Sequence, residues 1–276
     1  MERLVTAPAD RVRDALRARG LDWPAPIEHH VRLGSTSDRL KEKAREGAPE
    51  WAAVLADEQT GGRGRHGRAW ASPPGGLYLS VLLRPRFAPA SLIPLAAGVA
   101  VVEALGEHGV TAELKWPNDV LAGGRKLAGI LAEASSSSSG LDWVVLGLGV
   151  NLVTPPEALP EGLRATAASV LALTGGRLEP AEAAGAVLAR LTVWYDALRA
   201  DPPSVLRAWR ARAVPWWGRR VELRSGGLVV RGVAEDVDAA GALLLTLEDG
   251  SRRTVLSGEV TAVRLEAKGT DRVGGR

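Results

Sequence analysis

The sequence predicts an α+β fold: helices and strands intermixed over residues 1–213, a small all-β barrel over 214–268, and a tail at 269–276. Three observations carry this prediction. Up to Arg212, apolar runs of strand length alternate with longer runs of helical spacing. Past Trp216-Trp217 only short alternating runs remain. Turn signals at Gly226-Gly227, Gly241, Asp249-Gly250 and Gly258 separate those runs, as in a barrel of short strands.

The elements follow in chain order. A helix over 9–19 is spaced by Val12, Leu16 and Arg19 and stopped by Gly20. After a proline-broken stretch, Gly34-Ser35-Thr36-Ser37-Asp38 caps a second helix that runs through Leu40 and Ala44 to Gly47. Residues 51–56 form a buried strand that delivers a Gly/Arg loop from its end. A strand at 77–83 and a long apolar helix at 91–108 come next, the helix ending at Gly109. Residues 111–116 alternate as a strand before the turn at Pro117. Gly123-Gly124 joins strands at 120–122 and 127–133 in a tight hairpin. Ser135 to Ser139 reads as a solvated hairpin tip, and 143–150 as a continuous apolar strand buried on both faces. Helices at 179–199 and 203–212 complete the first region. Barrel strands fall at 220–224, 228–235, 242–247, 252–256 and 260–265.

Composition narrows the chemistry. With no cysteine, disulfides, thiolate catalysis and cysteine-ligated metals are excluded. Four histidines without paired spacing argue against a histidine-built metal site. The first ten residues carry no signal-peptide run, and no stretch approaches the roughly 20 apolar residues of a spanning helix. A cytoplasmic protein with no membrane partner is the expectation. The net charge of +3 comes from arginines spread along the whole chain, whereas a nucleic-acid binder clusters them on one face.

The rarest polar residues mark the candidate site. The chain has one glutamine, two asparagines and five lysines against thirty arginines. Gln59 opens Gln59-Thr60-Gly61-Gly62-Arg63-Gly64-Arg65-His66-Gly67-Arg68; Lys115 and Asn118 share Lys115-Trp116-Pro117-Asn118-Asp119; Lys126 follows; Asn151 ends Gly147-Leu148-Gly149-Val150-Asn151. In a chain that uses arginine wherever a cation suffices, Lys115 and Lys126 suggest a need for a compact ammonium. Glycines let backbone N–H groups approach oxyanions, and the forks of Arg63, Arg65 and Arg68 match phosphate or carboxylate. The loop has neither Walker nor Rossmann spacing. Asn151 ends a buried strand, so its amide must find partners: it caps the following turn or reads the edge of a purine. His66 reads as loop surface. Together these segments describe one site for an anionic, hydrogen-bonding substrate.

The same segments resemble the motifs of biotin protein ligases. The resemblance runs in order from Arg32 to Leu265. It rests on Asp57-Glu58-Gln59-Thr60 through Gly67-Arg68-Ala69-Trp70-Ala71-Ser72-Pro73, Leu77-Tyr78-Leu79-Ser80, Lys115 to Asp119, Lys126-Leu127-Ala128-Gly129-Ile130-Leu131-Ala132-Glu133, Gly147 to Asn151 and Ser257-Gly258-Glu259-Val260. It implies a mixed β-sheet with packed helices, class II synthetase-like and lipoate ligase-like, followed by an SH3-like β-barrel. It also implies two steps: biotin and MgATP give biotinyl-5′-adenylate and pyrophosphate, then a lysine of a biotin carboxyl carrier protein takes the biotin.

Carried over by motif, Ser35, Thr36 and Gln59 bind the ring end of biotin, Gly62 and Arg63 close over it, and Gly129 and Ile130 line its wall. Arg65 and Lys126 hold the reacting carboxylate and α-phosphate. Arg68, Trp70, Asn118 and Asn151 belong to the ATP side. Lys115 and Asp119 serve the triphosphate and its Mg²⁺, and Asp119 is the candidate proton acceptor in the transfer step. Ser37 and Ala167-Ala168-Ser169 depart from the common Ser-Thr-Asn and Ala-Thr-Ser patterns. No DNA-binding domain precedes Arg32, so the resemblance is to the monofunctional type without a DNA partner; whether the chain pairs as a homodimer is left open. Two rivals stand beside this expectation: lipoate or octanoate ligation on the same fold, and a nucleic-acid-binding module built on the Arg-Gly loop and barrel.

Overall fold

The structure, a computed structural model, describes residues 7–87, 89–138, 140–225 and 228–262. The chain divides into two compact units, Met1–Val214 and Pro215–Arg276. In the first, seven strands form one sheet: β1 Ile27–Leu33, β2 Ala53–Gln59, β3 Gly76–Leu83, β4 Glu113–Lys115, β5 Asp119–Ala122, β6 Arg125–Ser137 and β7 Gly140–Asn151. Their order is β1-β2-β3-β7-β6-β5-β4. β1 and β2 are parallel and every other neighbouring pair is antiparallel, so the sheet is mixed. The helices are α1 Pro8–Arg17, α2 Thr36–Arg45, α3 Ile93–Gly106, α4 Glu161–Arg164, α5 Val170–Thr174, α6 Pro180–Ala200 and α7 Pro202–Arg212.

Strand register sorts the side chains onto two faces. On one, Leu79, Leu148 and Ile130 stand opposite one another across β3, β7 and β6, and α3 and α6 cover them. α3 is buried nearly all round, and its Gly98 lets it approach closely: a Cβ there would stand 3.0 Å from Leu114 and 3.6 Å from Ile130. On the other face α2 packs through Leu40 and Ala44 against Val54, Leu82, Trp143 and Val145. Each fully buried leucine of this kind contributes about 1.5–3 kcal/mol of apolar transfer. α2 is also the parallel crossover from β1 to β2, which places its N-terminus at the end of β2 where the Gly/Arg loop begins.

Three sequence expectations need correction. β1 is an additional strand. Its run of Glu28, His29, His30 and Arg32 has no apolar alternation, because it is an edge strand that is at most half-buried and held by backbone pairing to β2. Ser135, Ser136 and Ser137 continue β6 in pairing with β7, with a register shift between Ser135 and Ser136, so the turn is confined to the next two residues, of which Ser139 lies outside the described residues. Finally, β7 is buried on both faces from Trp143 to Leu146 as expected, but Gly147 and Gly149 are only partly buried.

The second unit is an antiparallel sheet of β8 Arg220–Ser225, β9 Leu228–Val237, β10 Leu243–Leu247, β11 Arg252–Val255 and β12 Glu259–Ala262, ordered β11-β10-β9-β8-β12. Val221, Leu223, Ala234, Leu243, Leu245 and Val260 form its core. The Gly226-Gly227 turn, residues 263–265 of the last expected strand and the tail lie outside the described residues. Among the described residues, no helix is long and apolar enough to cross a membrane.

Candidate active site

Glycines clear a floor on the α2 face of the sheet. Gly129 of β6 lies opposite Gly149 of β7, and Gly147 lies opposite both Leu131 of β6 and Ser80 of β3. Positions two apart on a strand share a face, so Gly147 and Gly149 remove two consecutive side chains from one side only. The Trp70 indole lies over the Gly129/Gly149 pair. A Cβ on Gly149 would stand 2.5 Å from its Nε1, and one on Gly129 would stand 2.9 Å from its Cζ3. Gly147 is covered from α2, where Ser37 Oγ would be 2.7 Å from a Cβ.

A chain of hydroxyls and one amide bounds the floor. Ser35 is the N-cap of α2, accepting the Asp38 N–H at 3.4 Å. Gln59 Oε1 accepts from Thr36 N at 2.9 Å and from Thr36 Oγ1 at 3.0 Å, while its Nε2 donates to Ser72 Oγ at 2.9 Å. Because Thr36 Oγ1 donates to Gln59, the buried Ser80 hydroxyl donates to Thr36 at 2.8 Å and accepts from Ser37 Oγ at 3.0 Å. Each buried hydroxyl thus has a partner, which fixes Gln59 in one orientation.

The Gly/Arg segment is folded as a narrow hairpin. Gly61 N–H donates to Gly34 O at 2.7 Å, Trp70 N–H to Gly62 O at 2.9 Å and Gly64 N–H to Arg68 O at 2.7 Å. Gly62 is buried so tightly that a Cβ would stand 2.5 Å from Trp70 O and 2.6 Å from Ser72 Oγ. Exposed His66 forms the tip with a φ of 56°, followed by Gly67 at 73°. Arg63 forks onto Asp38 of α2.

The cations converge at the other end of the floor. Lys126 Nζ lies 2.6 Å from Asp119 Oδ1 and 5.3 Å from the centre of the Trp70 ring. Arg65 Nη1 reaches Asn118 Oδ1 at 3.4 Å. Burial holds the Arg65 guanidinium below its ordinary range; Asp119 opposes that shift and neighbouring Arg68 adds to it. An arriving anion would relieve both the desolvation and the repulsion. Lys115 is directly opposite Asp119 in the β4–β5 register, which puts the two side chains on the same face. Asn118 is held in turn by its Nδ2, which donates to Ile130 O at 2.7 Å.

Two residues stand differently from their sequence assignments. The Ile130 side chain packs toward α3, on the face opposite the glycine floor, so only its backbone is near the cations. Asn151 is buried, and its Nδ2 donates to Ala168 O at 3.0 Å and Lys126 O at 3.5 Å. Lys126 N–H donates to Thr166 O at 2.7 Å and its carbonyl accepts from Ala168 N–H at 2.8 Å, so Asn151 staples the 166–168 segment beside Lys126. Ser169 begins α5 as its N-cap. Sequence reasoning gave no role to Ser72, Ser80, Gly147 or Gly149; two glycines spaced by two within an apolar strand were the available signal.

Residues 31–151 match the biotin/lipoate A/B protein ligase family, and residues 217–261 match the biotin protein ligase C-terminal domain. The biotin–[acetyl-CoA-carboxylase] ligase of Mycobacterium tuberculosis is 36% identical over 264 residues, which span 92% of this chain and 94% of that protein. The chain belongs to the biotin protein ligase family. The ligase of the same name from Paracoccus denitrificans is 38% identical over 216 residues, spanning 76% of this biotin ligase and 89% of that protein. A solved biotin protein ligase from Aquifex aeolicus, in complex with biotin and ATP, superposes with a TM-score of 0.73 at 31% identity, over 85% of this chain and 97% of its own. The family fold is the α+β arrangement described above, a mixed sheet with packed helices followed by a small antiparallel β unit.

Proposed function

We propose that this biotin ligase uses ATP to convert biotin into biotinyl-5′-adenylate and then transfers the biotinyl group to a lysine of a biotin carboxyl carrier protein. In the first step a biotin carboxylate oxygen bonds to the α-phosphorus while the bond to the bridging oxygen breaks and pyrophosphate leaves. In the second the lysine amine bonds to the acyl carbon, AMP leaves and the amine loses a proton. The observation that carries this is the convergence of Arg65, Lys126, Asn118 and Asp119 at one end of the glycine floor.

Two anions must meet for adenylation, so fixed cations that neutralise both supply most of the catalysis. Arg65 and Lys126 take that role, with Arg68 and Lys115 on the triphosphate side. The ring end of biotin goes to Ser35, Thr36 and Gln59, under Gly62 and Arg63 and against Gly129 and the Ile130 backbone. Trp70, whose buried Nε1–H has no hydrogen-bond partner among the described residues, faces the adenylate together with Asn118, while Asn151 holds the adjoining segment. Asp119, the carboxylate beside Lys126, is our assignment for Mg²⁺. Mg²⁺ would be carried in on phosphate oxygens and water. Asp119 also accepts the amine proton. We assign both steps to residues 1–213 and the reaction to the cytoplasm.

Mass spectrometry of the protein incubated with MgATP and either biotin or lipoate tests this. Biotinyl-5′-adenylate and pyrophosphate are expected from biotin; adenylation of lipoate alone would overturn the assignment.

A further inference from the structure

Three segments meet at a charge cluster beside the site. Arg63, from the loop, forks both terminal nitrogens onto the Asp38 carboxylate in the first turn of α2. Lys41, on the same helix, lies 3.3 Å from Asp38 and 2.6 Å from Glu133 of β6. Arg63 Nη2 stands 3.7 Å from Glu133 Oε2, a buried oxygen with no hydrogen-bond partner among the described residues. The backbone of Arg63 is equally committed. It bridges to Ala69, and the preceding Gly62 carbonyl accepts the Trp70 N–H at 2.9 Å. Whatever holds the Arg63 side chain therefore also holds Gly62 at the ring end of the floor and Trp70 over its glycine pair.

Asp38, Lys41, Glu133 and Arg63 bind one another, while Lys126 pairs with Asp119. Asp38 served the sequence reading only as part of a helix cap. The Ser35 hydroxyl already caps α2, so the Asp38 carboxylate is left to bind arginine. Its acidity agrees: the bonds from Arg63 hold it below the ordinary carboxylate range against the opposing effect of burial, with Lys41 adding to the depression.

We propose that Asp38 is a positioning residue which, supported by Lys41 and Glu133, latches the 61–68 loop to α2 through Arg63 and so sets how fast biotin and biotinyl-adenylate leave. This rests on the function proposed above. The latch closes an exit and does not act on the bonds that change. Removing it raises the biotin KM and both dissociation rates and leaves kcat for adenylation at saturating biotin and ATP unchanged. Arg63 and Asp38 are each partly exposed, 36% and 47%, so a solvent-screened pair is the relevant scale. The expected rise in off-rate is about fivefold.

The test uses the full chain and follows release of labelled biotin and of preformed biotinyl-adenylate after a chase. Asp38→Asn is expected to speed both about fivefold, with the biotin KM rising by the same factor and kcat constant, and Asp38→Glu restores the wild-type rates. Unchanged off-rates in Asp38→Asn, or a fall in kcat at constant KM, would overturn the latch. If Asp38→Asn fails to fold, Glu133→Gln probes the same cluster from β6; faster release supports the latch and unchanged release overturns it. A wild-type protein that forms no adenylate from biotin refutes the proposed function itself, and the latch with it, before any variant is read.

Discussion

Lys126 Nζ stands 2.6 Å from Asp119 Oδ1, which makes the ammonium assigned to the reacting phosphate the counterion of the carboxylate assigned to the acceptor amine. Each group holds the other in place until an anion or a cation enters between them. Asp119→Asn separates the two roles. Supplied with isolated biotinyl-adenylate, this variant should biotinylate the carrier about 10²-fold more slowly than wild type, the size of a lost general base. An unchanged transfer rate would leave Asp119 as a counterion alone.

Gly149→Ala tests the indole that covers the floor. The new Cβ would stand 2.5 Å from Trp70 Nε1, so the ring must move off the Gly129/Gly149 pair. Because Gly149 is half-exposed, the stability cost falls near the low end of the about 1–3 kcal/mol typical of overpacking. The ATP KM should rise about tenfold or more, equivalent to about 1.4 kcal/mol of binding free energy. ATP titration of adenylate formation measures it, and an unaltered KM would remove Trp70 from the nucleotide side.

What was legible in the sequence were features encoded by single residues. Ser35 caps α2 as its hydroxyl predicts, and the Gly123-Gly124 turn has both φ angles positive, 56° and 72°, as a two-residue hairpin requires. The cluster of rare polar residues did mark segments that come together: Gln59 at one end of the floor, Asn118 and Lys126 at the other. Pairings set by distant neighbours were not legible. β1 owes its strand to backbone bonds with β2, which no pattern within Glu28, His29 and His30 announces. The destination of the Asn151 amide depended on a carbonyl of Ala168, and the helices α4 and α5 are too short to show a period. The motif points to Ile130 for the biotin wall, yet strand alternation turns its side chain toward α3 and away from the glycine floor.

Asn151→Ala should cost about 1–3 kcal/mol, because the buried Ala168 carbonyl loses its amide donor. Calorimetry would show a melting temperature several degrees lower, in line with about 2–4 °C per kcal/mol for a domain of this size. The same variant should raise the ATP KM, since the 166–168 segment beside Lys126 is released. A destabilised protein with unchanged KM would confine Asn151 to a structural role.

Glu28 links stability to pH. On β1 its carboxylate meets Lys43 at 2.5 Å, Arg39 at 2.9 Å and His30 at 2.6 Å. Burial opposes ionisation, but the bonds from Lys43, Arg39 and His30 outweigh it and lower the pKa from 4.5 to about 2. A depressed folded-state pKa gives stability that is present above the unfolded value and lost as pH falls through the folded one. Glu28→Gln should therefore melt below wild type at pH 7, with the gap closing between pH 4.5 and about 2. A gap that persists at pH 2 would show that the carboxylate's charge is not the cause.

The most direct test of the central claim, that fixed cations join two acids on a glycine floor, is rapid-quench measurement of a single turnover of biotinyl-adenylate formation by wild type and Lys126→Ala. Wild type should form the adenylate in a burst, and the variant should be slower by about 10²–10³-fold or more with its melting temperature retained. A wild-type burst from Lys126→Ala would contradict the account.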